Sequence, residues 1–209
     1  MKVAPVTRTV VTLISFLLVP GTALASSPTD WIRGTLGDVR SALAEHGSDG
    51  SDGKSSQEKF IEMSRLIAEL FDFPELARLA LGQHWQQRSP QERREFITLF
   101  GKLIARSHFM KIPSKAKAEQ RYVGERIEGD RAVVQAVVMA EDNEIPIDYA
   151  LVRYNGTWKI YDLGIDGMRL SEIYRSQFNK VISAGSYDDL VRRMQIKLQE
   201  FTVEAGAEK

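Results

Sequence analysis

Apolar positions keep a helical period in the first half of this chain, switch to period two near residue 119, and return to a helical period near residue 170. In the first stretch Ile32, Leu36, Val39 and Leu43 recur at helical spacing behind Ser27-Pro28-Thr29-Asp30, a capping-box start with Pro at the first helical position. Residues 47–57, GSDGSDGKSSQ, hold no apolar side chain and read as a flexible loop. Phe60, Met63, Ile67 and Leu70 then mark a second helix. In FDFPELARLALGQHW, Asp72 and Glu75 can form a capping box around Pro74, and Gly82 suits the C-terminal cap. Ser89-Pro90-Gln91-Glu92 repeats the start signal ahead of a stripe of Phe96, Leu99, Phe100, Leu103 and Ile104.

The period-two region predicts four strands near 119–128, 131–141, 144–154 and 157–166. Gly129-Asp130, Asp142-Asn143 and Asn155-Gly156 supply tight turns between them, so the strands form an antiparallel meander. The second strand, RAVVQAVVMAE, carries apolar residues on both faces. A sheet covered by helices on one side and not wholly polar on the other is expected. Two helices close the chain: one through Ile173 or Tyr174, Phe178, Val181 and Ile182 to Gly185, the other from Ser186 and Asp189 through Leu190, Met194 and Leu198. The order helices, meander, helices makes the fold class α+β. Residues 26–201 should form one domain, with 202–209 as a disordered tail.

The first 25 residues stand outside that domain. Lys2 and Arg8, an apolar run from Val10 to Val19 and Ala23-Leu24-Ala25 read as a secretory signal peptide. Its apolar run is well short of the roughly 20 residues of a membrane span. The expectation is an exported, periplasmic chain. The sequence contains no cysteine, so neither a disulfide nor a lipid-modified cysteine is expected, and stability must come from an apolar core. Of the 28 basic and 28 acidic residues, the leader removes two bases and no acid, leaving 26 against 28. Nothing in that balance resembles a nucleic-acid binder.

Candidate chemistry is sparse. His46, His84 and His108 are far apart in sequence with no i,i+4 pair, which argues against a metal site. No nucleophile elbow or phosphate-binding glycine loop is present. The serious candidates are sheet acids: Asp148 in IPIDYAL, and Asp162 and Asp166 in WKIYDLGIDGMRL. Four residues apart along a strand is about 13 Å, too far for a close acid/base pair. A structural role suits these acids, Asp162 pairing with an Arg or Lys of a neighbouring strand and Asp166 helping to start the closing helices. A lone Asp beside a Tyr, as in small cone-shaped isomerases, is the enzymatic alternative.

The run PIDYALVRYNGTWKIYDLGIDGMRLSEIYRSQF closely resembles a segment of MlaC-type periplasmic phospholipid-binding proteins, the toluene-tolerance auxiliary transport family. FDFPELARLALGQHWQQRSPQERREFITLF is similar to that family's helical segment before its sheet. Phe109 and Met168-Arg169 depart from the usual family residues, and the 47–57 loop is longer than typical. The resemblance implies an antiparallel sheet of the NTF2-like, cystatin-like kind wrapped by N- and C-terminal helices, with an apolar cavity between. It also implies a carrier without cofactor or catalytic activity, its ligand a diacyl phospholipid. Its partners would be the MCE-domain subunit of an inner-membrane ABC transporter and an outer-membrane lipoprotein complex. A polycyclic, hopanoid-type lipid is the alternative cargo. On that reading the cavity wall combines Val134, Val138, Ile147, Tyr149, Leu151, Trp158, Ile160 and Ile165 of the sheet with helical Phe73, Leu76, Phe100, Ile104, Tyr174 and Phe178. Alternation along the strands would turn some of these away. Arg153, Lys159, Arg106 or Lys111 could stand at the mouth near a phosphate.

Overall fold

The computed structural model describes residues 26–47, 56–109, 119–140 and 143–207. The expected leader, most of the 47–57 loop and Lys111 lie outside the described residues. Helices α1 (Pro28–Gly47), α2 (Ser56–Leu70), α3 (Phe73–Leu81) and α4 (Pro90–Ile104) precede the sheet, and α5 (Leu170–Ala184) and α6 (Tyr187–Ala207) follow it. Strands β1 (Gln120–Glu128), β2 (Arg131–Ala140), β3 (Asn143–Tyr154) and β4 (Thr157–Ile165) form the meander, and a two-residue β5 (Met168–Arg169) adds a fifth strand. All neighbours pair antiparallel in the order β1-β2-β3-β4-β5. The fold is α+β, as the switch in period implies.

Local signals act where expected, with two corrections. Ser89 makes the full reciprocal box, its Oγ accepting from the Glu92 amide and its own amide donating to the Glu92 carboxylate. At α3 only half a box forms. Asp72 accepts from the Glu75 amide at 3.1 Å, but the Glu75 carboxylate turns to Arg78 and Arg131. The Asp72 amide instead donates to the Ile160 carbonyl, which ties the start of α3 to the outer edge of β4. Asp166 does not start a helix. With φ of 50° it forms, with Gly167 at 77°, the tight turn between β4 and β5, the conformation that Asp-Gly pairs favour.

Two apolar clusters divide the interior. One joins a single face of the sheet to α1, α2 and Phe71, and includes Ile32, Ile67, Leu70, Val134, Leu151, Trp158 and Ile160. The other is made by the helices α3 to α6 among themselves, with Leu76, Phe96, Phe100, Tyr174, Phe178 and Leu190 at its centre. Phe73 and Leu163 touch both.

Candidate functional site

The site is built from the register of the sheet. Directly paired residues in a ladder share a face. Pairing therefore places Val134 and Val138 of β2 beside Tyr149 and Ile145 of β3, and Ala136 beside Ile147. On β4, Leu151 pairs with Ile160 and Arg153 with Trp158, while Tyr149 pairs with Leu163 and Ile147 with Ile165. Between these sets Tyr161 has no partner, because Ala150 pairs with Asp162 and Leu151 with Ile160. That bulge changes the phase of the strand: even-numbered residues face the layer before it, odd-numbered ones after it. Consequently Val134, Val138, Ile147, Tyr149, Leu151, Trp158, Ile160 and Ile165 all lie on one face. None of the eight turns away, against the expectation from simple alternation.

That face is covered by α1 and α2. Ile32 and Ile67 are fully buried against it, with Leu70 and Phe71 at the end of α2. Ala132 and Ala136, small residues on β2, leave room for the larger covering side chains. Of these, Ile32, Ile67, Leu70, Phe71 and Ala132 were not among the sequence candidates. The amphipathic stripes of α1 and α2 showed that their apolar faces would be buried, but a stripe carries no information about which surface it meets.

Polar contacts fasten the cover at its ends. Thr29 donates through both its amide and its hydroxyl to the Glu125 carboxylate of β1, at 2.7 and 2.6 Å. The Arg33 guanidinium lies 5.0 Å above the Tyr122 ring of the same strand. At the other end Phe71 pairs with Ile160, and the Tyr154 hydroxyl donates to Asp72 at 2.8 Å. That contact, with the nearby Asp72 charge, raises the Tyr154 pKa above the usual phenol value.

The helical candidates separate. Phe73 borders the sheet layer, but Leu76, Phe100, Ile104, Tyr174 and Phe178 belong to the helical cluster. Phe100 meets Tyr174 and Phe178 edge-on at 5.0 and 5.4 Å, and Phe96 meets Phe178 at 5.7 Å. Their stripes are satisfied by one another because α3 packs along α5 and α4 along α6. The candidate cations also find other work. Arg153 holds Asp130 at 3.1 Å and stacks over Trp158, and Arg106 donates to the Phe201 carbonyl with its pKa lowered by burial. Lys159 pairs opposite Val152, on the sheet face away from α1 and α2.

Asp162 is an anchor. It is 2% exposed, and its carboxylate accepts from the Leu163 amide, the Ser171 amide and the Ser171 hydroxyl at 2.9, 3.1 and 2.7 Å. Arg169 of β5 stands 3.6 Å away, the neighbouring-strand cation that the sequence suggested. Asp162 thus fixes the start of α5 to β4. Its oxygens are occupied by these donors; Asp148 pairs opposite Gly164, one diagonal step from Asp162, and Asp166 lies in the turn beyond β4. His84 meets the Asn179 side chain at 2.9 Å, and no cluster of metal-binding side chains occurs among the described residues. No described helix is long and apolar enough to cross a membrane.

Comparison with known proteins fits this architecture. The family model described as MlaC protein matches residues 38–196. No curated protein matches the chain. Among solved structures, a phospholipid-binding protein from Ralstonia solanacearum in complex with a phospholipid is similar, with a TM-score of 0.72 and 23% sequence identity. The match covers 85% of this chain and 99% of that one, and at that identity it establishes likeness of fold.

Proposed function

The chain belongs to the MlaC protein family, and from that premise we propose that it is a periplasmic carrier of diacyl phospholipid, holding acyl chains between the sheet and the helices α1 and α2. The observation that carries this reading is the single sheet face on which eight apolar side chains and Phe73 converge beneath the helices α1 and α2. Each buried CH₂ stabilises by about 0.8 kcal/mol, so two acyl chains left in water represent a gross penalty on the order of 20 kcal/mol. A carrier must cover those tails, while the headgroup can remain wet. That demands apolar area and no reactive centre, in keeping with a fold whose one buried sheet carboxylate is engaged structurally.

On this reading α1 and α2 part from the sheet to admit the tails, and the helical cluster stays closed. The lining consists of Val134, Val138, Ile147, Tyr149, Leu151, Trp158, Ile160, Ile165 and Phe73; Leu76, Phe100, Ile104, Tyr174 and Phe178 serve as framework. The carrier would load and unload at an outer-membrane lipoprotein complex and at the MCE-domain subunit of an inner-membrane ABC transporter. The near balance of 26 basic and 28 acidic residues left once the leader is removed suits a carrier that must leave anionic membranes as readily as it meets them.

The test is solvent extraction and mass spectrometry of protein purified from periplasm. About one diacyl phospholipid per chain is expected. Protein that is recovered empty and takes up nothing from phospholipid vesicles would refute the proposal.

A further inference from the structure

Four buried side-chain polar atoms lack a hydrogen-bond partner among the described residues: Ser64 Oγ, Arg88 Nε, Gln120 Nε2 and Trp158 Nε1. Three of them belong to the sheet–helix layer. Trp158 is 2% exposed within that cluster. Ser64 precedes Ile67 by three residues and so shares the α2 face that packs on the sheet. Gln120 pairs with Val138 and lies on the same sheet face as Tyr122. The fourth orphan lies outside that layer, on Arg88, whose Nη1 donates to Glu92 and whose guanidinium stacks over Tyr187 of the helical cluster.

Folded proteins pair more than about nine in ten of their buried polar groups, because an unpaired donor forfeits its hydration without return. Three such donors in one apolar layer therefore stand open to a partner other than the described residues. The indole N–H of Trp158 is the sharpest of them. It can only donate, and its ring is fixed between Arg153, 5.0 Å above it, and the surrounding buried side chains. Its complement must be an acceptor that can enter an apolar layer. A phosphate is too costly to desolvate there, and a polycyclic hydrocarbon body offers no acceptor. A carboxylic ester carbonyl is neutral, accepts without donating, and is attached to the hydrocarbon chains that the layer would cover.

We propose that Trp158 is a specificity-determining residue for the linkage of the bound lipid: its Nε1–H donates to an acyl ester carbonyl, so the carrier selects ester-linked over ether-linked chains. The inference rests on the lipid-carrier reading above and narrows it to acyl esters. Ser64 and Gln120 supply further donors in the same layer.

The experiment is a competition. Delipidated protein is incubated with vesicles holding equal amounts of dioleoyl phosphatidylcholine and its di-O-oleyl ether analogue, re-isolated, and its lipid measured by mass spectrometry. The two lipids share headgroup and chain length and differ in the carbonyls. An ester-to-ether enrichment of about five- to tenfold is expected, the discrimination of one net hydrogen bond. In Trp158→Phe the ratio should fall close to one. Replacing Trp158 by benzothienylalanine, which puts sulfur in place of the N–H at nearly constant shape, should do the same and covers the case in which the Phe variant does not fold. A wild-type ratio near one overturns the inference, as does a variant that keeps the wild-type ratio. Recovery of neither lipid would instead sink the carrier reading, and this inference with it.

Discussion

Truncating Asp162 tests the assignment of the sheet's buried acid to structure. Its carboxylate accepts three hydrogen bonds, two from Ser171 and one from the Leu163 amide, inside a site where both Asp162 and Ser171 are less than 5% exposed. The Ser171 amide is one of the free N–H groups in the first turn of α5, where a negative charge is also favoured by the helix dipole. Asp162→Ala strands these donors without water, and a buried network broken from one side costs about 3–5 kcal/mol. At about 2–4 °C per kcal/mol for a chain of this size, the melting temperature should fall by about 6–20 °C. Asp162→Asn keeps the acceptor oxygen and can donate to the Ser171 hydroxyl, so about 1–2 kcal/mol is expected. Arg169→Ala should cost less than about 1 kcal/mol, since its guanidinium is 3.6 Å away and half-exposed. Urea unfolding followed by tryptophan fluorescence separates these values through the midpoint at constant slope. The reasoning is refuted if the Ala variant loses less than about 1 kcal/mol or if Asn is as costly as Ala. Bound lipid in the Asn variant should match wild type, whereas an acid/base role would show as a lost activity without lost stability.

Four further outcomes follow from the geometry. Ser89→Ala removes the reciprocal cap of α4 and should cost about 1 kcal/mol, seen as a fall of about 2–4 °C by calorimetry. Ala136→Met thickens the helix-covered sheet face between Tyr122 and Ile147, so lipid recovered per chain should drop at a stability cost of about 1–3 kcal/mol. Met139→Asp, on the exposed face of the same strand, should change neither. Burial pushes the Tyr187 phenol up to about 12, with the Glu92 charge adding to it. The unfolded chain ionises this group first, near the ordinary 10.0, so its contribution to stability is complete below that pH and lost as pH rises through about 12. In Tyr187→Phe the decline of melting temperature between pH 10 and 12 should be shallower than in wild type, as followed by circular dichroism.

Strand limits and turns were legible in the sequence because each leaves a local mark. Asn155 and Gly156 adopt φ of 49° and 85°, the left-handed pair that Asn-Gly announces. Asp166-Gly167 carries the same mark, but the strand that follows is two residues long, too short to show a period, and the turn passes for a helix start. The bulge at Tyr161 left no mark at all. Burial along β4 alternates without interruption, because the strand is covered on both faces: Trp158 and Ile160 toward α1 and α2, Asp162 and Gly164 toward the side of α5. A two-sided strand hides a change of phase. The helical candidates lie in the other cluster for a related reason. The stripe through Phe100 and Ile104 shows that α4 is buried, and tertiary packing alone decides that it is buried against α3, α5 and α6.

The separation into two clusters bears directly on how a carrier of this architecture could open. With a single core, any gap wide enough for acyl chains would loosen the contacts that hold the fold. Here the edge-on rings of Phe96, Phe100, Tyr174 and Phe178 tie α4 to α5 without contributing to the layer on the sheet. The sheet itself is held by its ladders and by Asp162. Lifting α1 and α2 therefore breaks the contacts of Thr29 with Glu125 and of Arg33 with Tyr122, both at the exposed end of the cover, and uncovers apolar area on both sides of the layer. Acyl chains entering the gap re-cover that area at about 25 cal/mol per Å², so the dominant cost of opening is offset by the ligand that causes it. The exposed polar contacts contribute little by comparison. On the proposed reading, opening would be nearly balanced when lipid is present and unfavourable when it is absent, the asymmetry a carrier needs to stay closed in water.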